Sequence, residues 1–294
     1  MTDFLRYCVI GLANGSVYAM VAMSLVIIYR ATGLLNFAMG ETAMIATFIV
    51  WQCHDAGVPL LLALLIGMVA GFLAGALMQR LAVQPAGDPA TAPLQLVIVT
   101  VGLLLVLNNL AGLIWGADPR VFDRLFGDGS FDAGGVVIRW QQLGTVGVLF
   151  LEAGLLYLLF TRTKIGLAMR SVASNAESSS LSGIAVNKVL IVSWGIAASI
   201  GAVAGTFAAP NAGMSADLFL PILVYAFAAM TIGGFDSLGG AIVGGLAVGL
   251  ITEVLPSYVE GLREARLVPA VVLILVVLMF RPQGLFGSRQ VRRV

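Results

Sequence analysis

The sequence predicts an all-α, polytopic transmembrane bundle of about eight or nine spans, short glycine-broken ones included, and three observations carry that prediction. The 294 residues are 60% hydrophobic and only 11% charged, against roughly 45–50% apolar and 25% charged in water-soluble domains. Apolar runs of spanning length, about 17–25 residues, recur along the whole chain. Within several of them glycines stand four apart, which lets helix backbones approach closely. The formal net charge of +1 points neither to nucleic acid nor to an acidic partner. The whole chain, 1–294, reads as one membrane domain.

The first run, Tyr7–Tyr29, is longer than the ~7–15 apolar residues of a signal peptide, and Asp3 offsets Arg6 so that no basic region precedes it. It is expected to remain as the first span. The second, Asn36–Cys53, carries Glu41 in its early turns, where a helix dipole favours an acid. Leu60–Leu81 and Leu94–Trp115 follow, the latter with Asn108 and Asn109. Leu143–Phe160 holds Glu152 near its middle. Beyond a polar stretch come Val189–Ala209, Phe219–Gly233, Gly240–Leu255 and Leu267–Phe280. The seventh and eighth of these nine are short and are split by "GGFDSLGG", Gly233–Gly240, a break expected at an interface or buried in protein because lipid cannot satisfy its backbone.

Lys and Arg set the orientation. With the polar stretch 162–188 inside and the spans alternating, ten basic residues lie inside (Arg30, Arg80, Arg162, Lys164, Arg170, Lys188, Arg281, Arg289, Arg292, Arg293) and six outside (Arg6, Arg120, Arg124, Arg139, Arg263, Arg266). The N-terminus is then outside and the C-terminus cytoplasmic. The glycine series Gly67/Gly71/Gly75, Gly201/Gly205, Gly240/Gly244 and Gly245/Gly249 serve either packing within one bundle or a subunit interface.

Soluble chemistry is hard to find. Neither Lys164 nor Lys188 is followed by Ser or Thr, so no P-loop is present. Cys8 and Cys53 form neither a disulfide framework nor a metal cluster. His54, beside Asp55, reads as an interfacial structural residue, and Ser178–Ser180 as loop polarity. The intramembrane polar residues carry more, since a charge at the bilayer centre costs about 2.5–3.5 kcal/mol or more and faces the protein interior or a cavity. Glu152 and Glu41 each admit a structural role or a place on a pathway. Asn36, Asn108 and Asn109 either line a wet route or bond neighbouring helices.

The stretch "RTKIGLAMRSVASNAESSSLSGIAVNK", Arg162–Lys188, is the outlier. Leu167, Val172, Ala176 and Leu181 recur in it at gaps of five, four and five, an approximate helical stripe, with Arg170, Asn175 and Glu177 among the polar positions. Gly183 suits a helix stop. The segment is either an amphipathic connector on the membrane surface or a short helix that inserts into a groove of a cytoplasmic partner.

"ASNAESSSLSGIAVNK", Ala173–Lys188, resembles the coupling segment of ABC-importer permeases, although it lacks the fuller Glu-Ala-Ala form. "GLANGSVYAMVAMSLVIIYRATGLLNFAMGE", Gly11–Glu41, with its "NFAMGE", is similar to the start of the branched-chain amino acid permease family, LivH type. "TIGGFDSLGGAIVGGLAVGLIT", Thr231–Thr252, and "FRPQGLFG", Phe280–Gly287, resemble the same family, and the likeness covers nearly the whole chain. It implies a bacterial inner-membrane permease that pairs with a second, related permease and two cytoplasmic ATPase subunits and receives substrate from a soluble extracytoplasmic binding protein. This chain would hold no cofactor, and ATP would be used by the partner subunits. The longest outer loop, Gly116–Gln142, is too short to be a substrate-binding domain. Arg170, Asn175, Ala176, Glu177, Leu181 and Gly183 would then be the ATPase-coupling residues. Asn36 and Glu41 would lie near the translocation pathway, with Asn108, Asn109 and Glu152 as further candidates.

Three rivals stay open. Related permeases carry urea and short-chain amides instead of leucine, isoleucine and valine. A channel or ion-coupled secondary transporter would use Glu41 and Glu152 as proton relays and the Gly233–Gly240 break as a midplane site. A mere membrane anchor is disfavoured by Glu152, Asn108 and Asn109.

Overall fold

The structure is a computed structural model that describes residues 2–89, 91–262, 264–265, 267–281 and 283–287. Arg263, Arg266, Arg289, Arg292 and Arg293, which entered the charge bias, and Pro282 of the closing motif lie outside the described residues. The helices are α1 (Thr2–Thr32), α2 (Met39–Asp55), α3 (Leu60–Met78), α4 (Gln84–Ala86), α5 (Pro93–Trp115), α6 (Trp140–Arg162), α7 (Lys164–Ser174), α8 (Ala176–Leu181), α9 (Val186–Ala212), α10 (Phe219–Gly233), α11 (Leu238–Tyr258) and α12 (Val268–Phe280). A small antiparallel hairpin, β1 (Ser130–Asp132) and β2 (Val137–Arg139), precedes α6.

Six of the described helices are long and apolar enough to cross a membrane, and α10 and α12 are shorter apolar ones. α1 and α9 are 83% and 78% buried over their most apolar windows, whereas α3, α5 and α6 are 28% or less buried. The first two are therefore largely covered by protein, and the other three keep broad apolar faces exposed. The chain is thus a multi-pass membrane protein.

α2 differs from the span expected at Asn36–Cys53. It begins at Met39, after a non-helical stretch that holds Asn36, and is not among the helices apolar enough to cross. Glu41, Thr42, Thr47, Gln52 and His54 lower its hydropathy, and ten of its 17 residues are buried. α11 departs the other way. Expected to be short, it runs 21 residues, because Ser237 caps its start by accepting from the Gly240 N–H at 3.0 Å and Pro256 is carried inside its end.

The chain packs into two units. In one (1–26, 126–149 and 221–294), Gly11, Gly15 and Ala19 of α1 meet Gly245 and Gly249 of α11 so closely that a Cβ on Gly249 would strike the backbone of Gly11 and Gly15. Tyr18 and Tyr225 pack ring to ring at 4.6 Å. The expected glycine break is a tight joint here. Gly233 and Gly240 touch backbone to backbone, and the closing motif docks on it, with the Leu285 and Phe286 N–H groups donating to Ile232 and Gly233 carbonyls at 2.7 and 3.1 Å. Gly233, Gly234 and Gly240 of the joint are buried, Phe235–Leu238 are half-buried and Gly239 is exposed, so its backbone is partly covered by protein.

In the other unit (27–125 and 150–220), α2 packs against α3, α5 and α9. Gly71 and Gly75 bring α3 onto the α9 backbone at Ala198 and Trp194, while Gly201 and Gly205 admit Ala43 and Thr47 of α2. All four small-residue series, Gly240 and Gly244 included, pack inside the protein.

Candidate functional site

The polar stretch, which lies in the second unit, folds as two short helices. Thr163 caps α7 by accepting from the Gly166 N–H at 3.0 Å. Asn175 is extended (φ −160°, ψ 108°) and its Oδ1 accepts from the Ser178 N–H at 2.8 Å, which starts α8 afresh. The single approximate stripe is thereby broken. Val172 is buried, while Leu167 and Leu181 are exposed, because Asn175 as an N-cap competes with continuation of α7.

α8 ends in a Schellman motif: the Ile184 N–H donates to Ser179 O and the Gly183 N–H to Ser180 O, both at 3.0 Å, with Gly183 at φ +83°. Ser179, expected to be loop polarity, is buried within α8. Its hydroxyl joins that of Ser171 on α7 at 2.8 Å and also donates to the Asn175 carbonyl at 2.7 Å. Gly166 sits directly on the backbone at Leu159 and Phe160 of α6, and both α7 and α8 pack on α9. Arg170, Asn175, Ala176, Glu177, Leu181 and Gly183 all lie on the exposed side. The result is a segment braced by its own caps and hydroxyl bonds, with these six residues on its exposed side.

The second group is buried in the same unit. Glu41, 3% exposed, stands in the first turn of α2, and Asn108 Nδ2 of α5 lies 3.4 Å from its Oε2 and 3.1 Å from the Ala216 carbonyl. Asp217 is near enough to act on Glu41 electrostatically. Asn36, five residues before Glu41, is also 3% exposed. Its Oδ1 accepts from the Ala38 N–H at 3.0 Å, and its Nδ2 has no partner among the described residues. The structure thus joins Glu41 and Asn108 directly and sets Asn36 at the head of the same helix. Asn109 is exposed and donates to the Leu105 carbonyl of its own helix at 2.7 Å. Glu152 is buried and makes no hydrogen bond to any described residue.

Sequence reasoning missed several residues. Asp217 and the Ala216 carbonyl come from a link between helices with no motif. Asn14 donates to Glu253 at 2.8 Å across α1 and α11 in the first unit. Trp194 and Gln79, 3% and 2% exposed, each keep a polar atom unpartnered among the described residues. Gln79 also opens a π turn, Gln79–Val83, that continues α3 into α4, a distortion often found at functional sites.

At the far end of α2, His54 meets two acceptors, Val58 O at Nδ1 and Asp123 Oδ2 at Nε2, both at 3.0 Å. Only the imidazolium donates to both, and these bonds raise its pKa above the ordinary 6.5. The partner is thus the loop acid Asp123, whereas Asp55, its sequence neighbour, adds only a minor electrostatic effect. Among the described residues no cluster of three or more His, Cys, Asp or Glu side chains could hold a metal ion.

Residues 7–278 match the family described as branched-chain amino acid transport system / permease component. The chain is 30% identical to the high-affinity branched-chain amino acid transport system permease protein BraD of Pseudomonas aeruginosa, over 99% of this chain and 98% of that protein. It is 27% identical to LivH of Salmonella typhimurium, with the same coverage, and 25% identical to a probable LivH permease of Methanocaldococcus jannaschii, over 91% and 88% of the two chains. No solved structure matches. The chain belongs to the branched-chain amino acid transport permease family.

Proposed function

We propose that this member of the branched-chain amino acid permease family is the membrane subunit of an ABC importer for leucine, isoleucine and valine, and that α7 and α8 receive the stroke of separate ATPase subunits. The cargo rests on the full-length likeness to proteins named as high-affinity branched-chain amino acid permeases. One observation carries the coupling role: the 162–188 segment is braced internally by caps and hydroxyl bonds while Arg170, Glu177 and Leu181 remain exposed. A segment so built transmits a push to α6 and α9 as a rigid body.

Energy comes from the partners, because the chain has no G-x-x-x-x-G-K-[ST]. ATP binds to them, and this chain carries no cofactor and no catalytic site. A second, related permease completes the channel and a soluble protein delivers the cargo from outside. The setting is the bacterial inner membrane, N-terminus out and C-terminus in, on the ten-to-six bias of basic residues. Asn36, Glu41 and Asn108 mark the route. Asn109 and Glu152 share no hydrogen bond with them. Urea or amide cargo is disfavoured by the relatives' names, and an ion-coupled carrier working alone would leave the braced protrusion without a role.

A gentle detergent pull-down of the tagged chain from its native membrane, read by mass spectrometry, tests the assembly. Co-purification of ATPase subunits and a second permease is expected, followed by leucine uptake in excess of urea uptake when the complex is placed in proteoliposomes. A chain that emerges alone, or only with itself, contradicts the reading.

A further inference from the structure

Glu253 of α11 differs from the other acids held in the helices. Glu41 and Glu152 are 3% and 8% exposed, whereas Glu253 is half-buried. Asn14 Nδ2 of α1 donates to its Oε1 at 2.8 Å, and both residues belong to the first unit. The close packing of Gly11 and Gly15 on Gly249 holds the two helices at that separation. One oxygen on each residue is left over. Glu253 Oε2 and Asn14 Oδ1 have no hydrogen bond to a described residue, and neither is sealed from the surface.

The surroundings decide what these oxygens face. Leu250, Glu253 and Ser257 stand three and four residues apart, so they share one face of α11, and all three are half-buried. The Ser257 hydroxyl donates to the Glu253 carbonyl at 2.7 Å. Leu255, two residues on from Glu253 and therefore on the opposite side of the helix, is 42% exposed. Glu253 lies about 8 Å inside the Tyr258 end of α11, at 1.5 Å per residue. That end carries an aromatic pair, Tyr7 and Tyr258, packed edge to face at 6.4 Å, as suits the membrane–water boundary. At the depth of Glu253, lipid accommodates Leu255 but not an open carboxylate, which belongs against protein or a water-filled cavity. No described group takes up the spare oxygens, which leaves water.

We infer that the α1–α11 face bearing Asn14, Leu250, Glu253 and Ser257 lines a water-filled part of the translocation route, and that the Glu253 carboxylate gives that part a negative charge. Asn14 is the positioning residue, since its amide holds one carboxylate oxygen and turns the other outward. The charge disfavours anions at this point of the route and favours cationic groups. The inference deepens the proposed function and rests on it for the existence of a route.

The test is thiol labelling of the assembled complex in nanodiscs, with Cys8 and Cys53 replaced by Ser and single cysteines placed on α11. Two membrane-impermeant methanethiosulfonates, one cationic and one anionic, are the probes, and labelling is read on the tagged chain by mass spectrometry. Ser257→Cys and Leu250→Cys are expected to react, and Leu255→Cys, at similar depth on the opposite face, to stay unlabelled. The cationic reagent should be favoured at Ser257→Cys. Glu253→Gln keeps an acceptor for Asn14 and should lower that preference at least about threefold, the scale of one unit charge a helical turn away in water. Two cysteines that resist both reagents overturn the inference, and so does equal labelling of Leu255→Cys, which would reflect depth alone. An unchanged preference in Glu253→Gln removes the charge from the route and overturns it as well. Leucine uptake by the unmodified complex in proteoliposomes reads the function separately. Uptake with a sealed α11 face ends the inference alone, whereas a labelled face without uptake ends the transport reading and keeps the wet face.

Discussion

The α7–α8 protrusion and the Asn36–Glu41–Asn108 group are both polar insertions in an apolar chain, yet they treat their hydrogen bonds in opposite ways. In the protrusion, Thr163, Asn175, Ser171 and Ser179 spend their polar atoms on the segment's own turns. What remains outward is a set of exposed side chains on a stiff frame. In the buried group, the polar atoms exceed the partners available. Asn108 is stretched to 3.4 Å from Glu41, and Asn36 Nδ2 has no partner among the described residues. Exposure with internal satisfaction suits a lever pushed from outside. Burial with spare donors suits a surface that meets a solute in passing, since an unmade buried hydrogen bond is relieved only by something that enters. One unit holding both kinds fits the coupled permease proposed above.

The largest expected effect comes from breaking the lever. Gly183→Pro cannot adopt φ +83° and removes the N–H that donates to Ser180. Substrate-stimulated ATP hydrolysis by the reconstituted complex should fall to its basal rate, with assembly intact by size exclusion. Glu177→Arg should do the same by reversing an exposed charge. A mutant complex hydrolysing ATP at the wild-type rate removes the lever from the comparison.

Glu41→Leu strikes the other side. It should cut leucine uptake about tenfold, equivalent to 1.4 kcal/mol, with stimulated ATP hydrolysis less affected. Glu41→Gln, able to meet Asn108, should fall between. Uptake at the wild-type level in Glu41→Leu would reduce the buried group to packing.

A smaller effect separates structure from contact. Asn175→Ala loses an N-cap of about 1 kcal/mol. Amide exchange in α8 should rise roughly fivefold, the factor for 1 kcal/mol, and α2 should be unchanged. Equal loosening of α2 would mean that the two regions are not separately built.

The smallest is a pH effect at His54, remote from both. Its raised pKa means that its contribution to stability is complete below the unfolded value of about 6.5 and is lost as pH rises through the folded value. The melting temperature of the complex should decline slightly across that window. Asp123→Asn should flatten the decline, because only the Val58 carbonyl and the minor effect of Asp55 would then favour the imidazolium; an unflattened profile assigns the pH dependence elsewhere. Side-chain exposure of 30% and 71% for the pair keeps the effect small.

The nine apolar runs were legible because spanning length is imposed by the bilayer and written directly in composition. Their ends were less so. α11 gained residues at both ends, since Ser237 caps it and Pro256 falls too near its end to stop it. α2 read as an ordinary span, although a protein-lined helix tolerates polar residues that lipid would not. The break at Asn175 had a local signal, an Asn that caps a Ser three residues on, but apolar spacing drew the eye to one helix instead. Glu41 and Asn108 were singled out separately as intramembrane polar residues, and only tertiary packing shows that they meet. The unpartnered Nε1 of Trp194 had no signal in the sequence, because it depends on how α9 packs against α3. Glu253 and Asp217 were passed over because one sits in a glycine-rich span and the other in a short link, neither with a motif.

The most direct test of the coupling claim is a photo-crosslinking amino acid at Leu181, 86% exposed on α8, irradiated in the native membrane with and without ATP. The account predicts a crosslink to a cytoplasmic ATPase subunit whose yield changes with nucleotide. Crosslinks only to lipid, or to a protein on the outer face of the membrane, would contradict it.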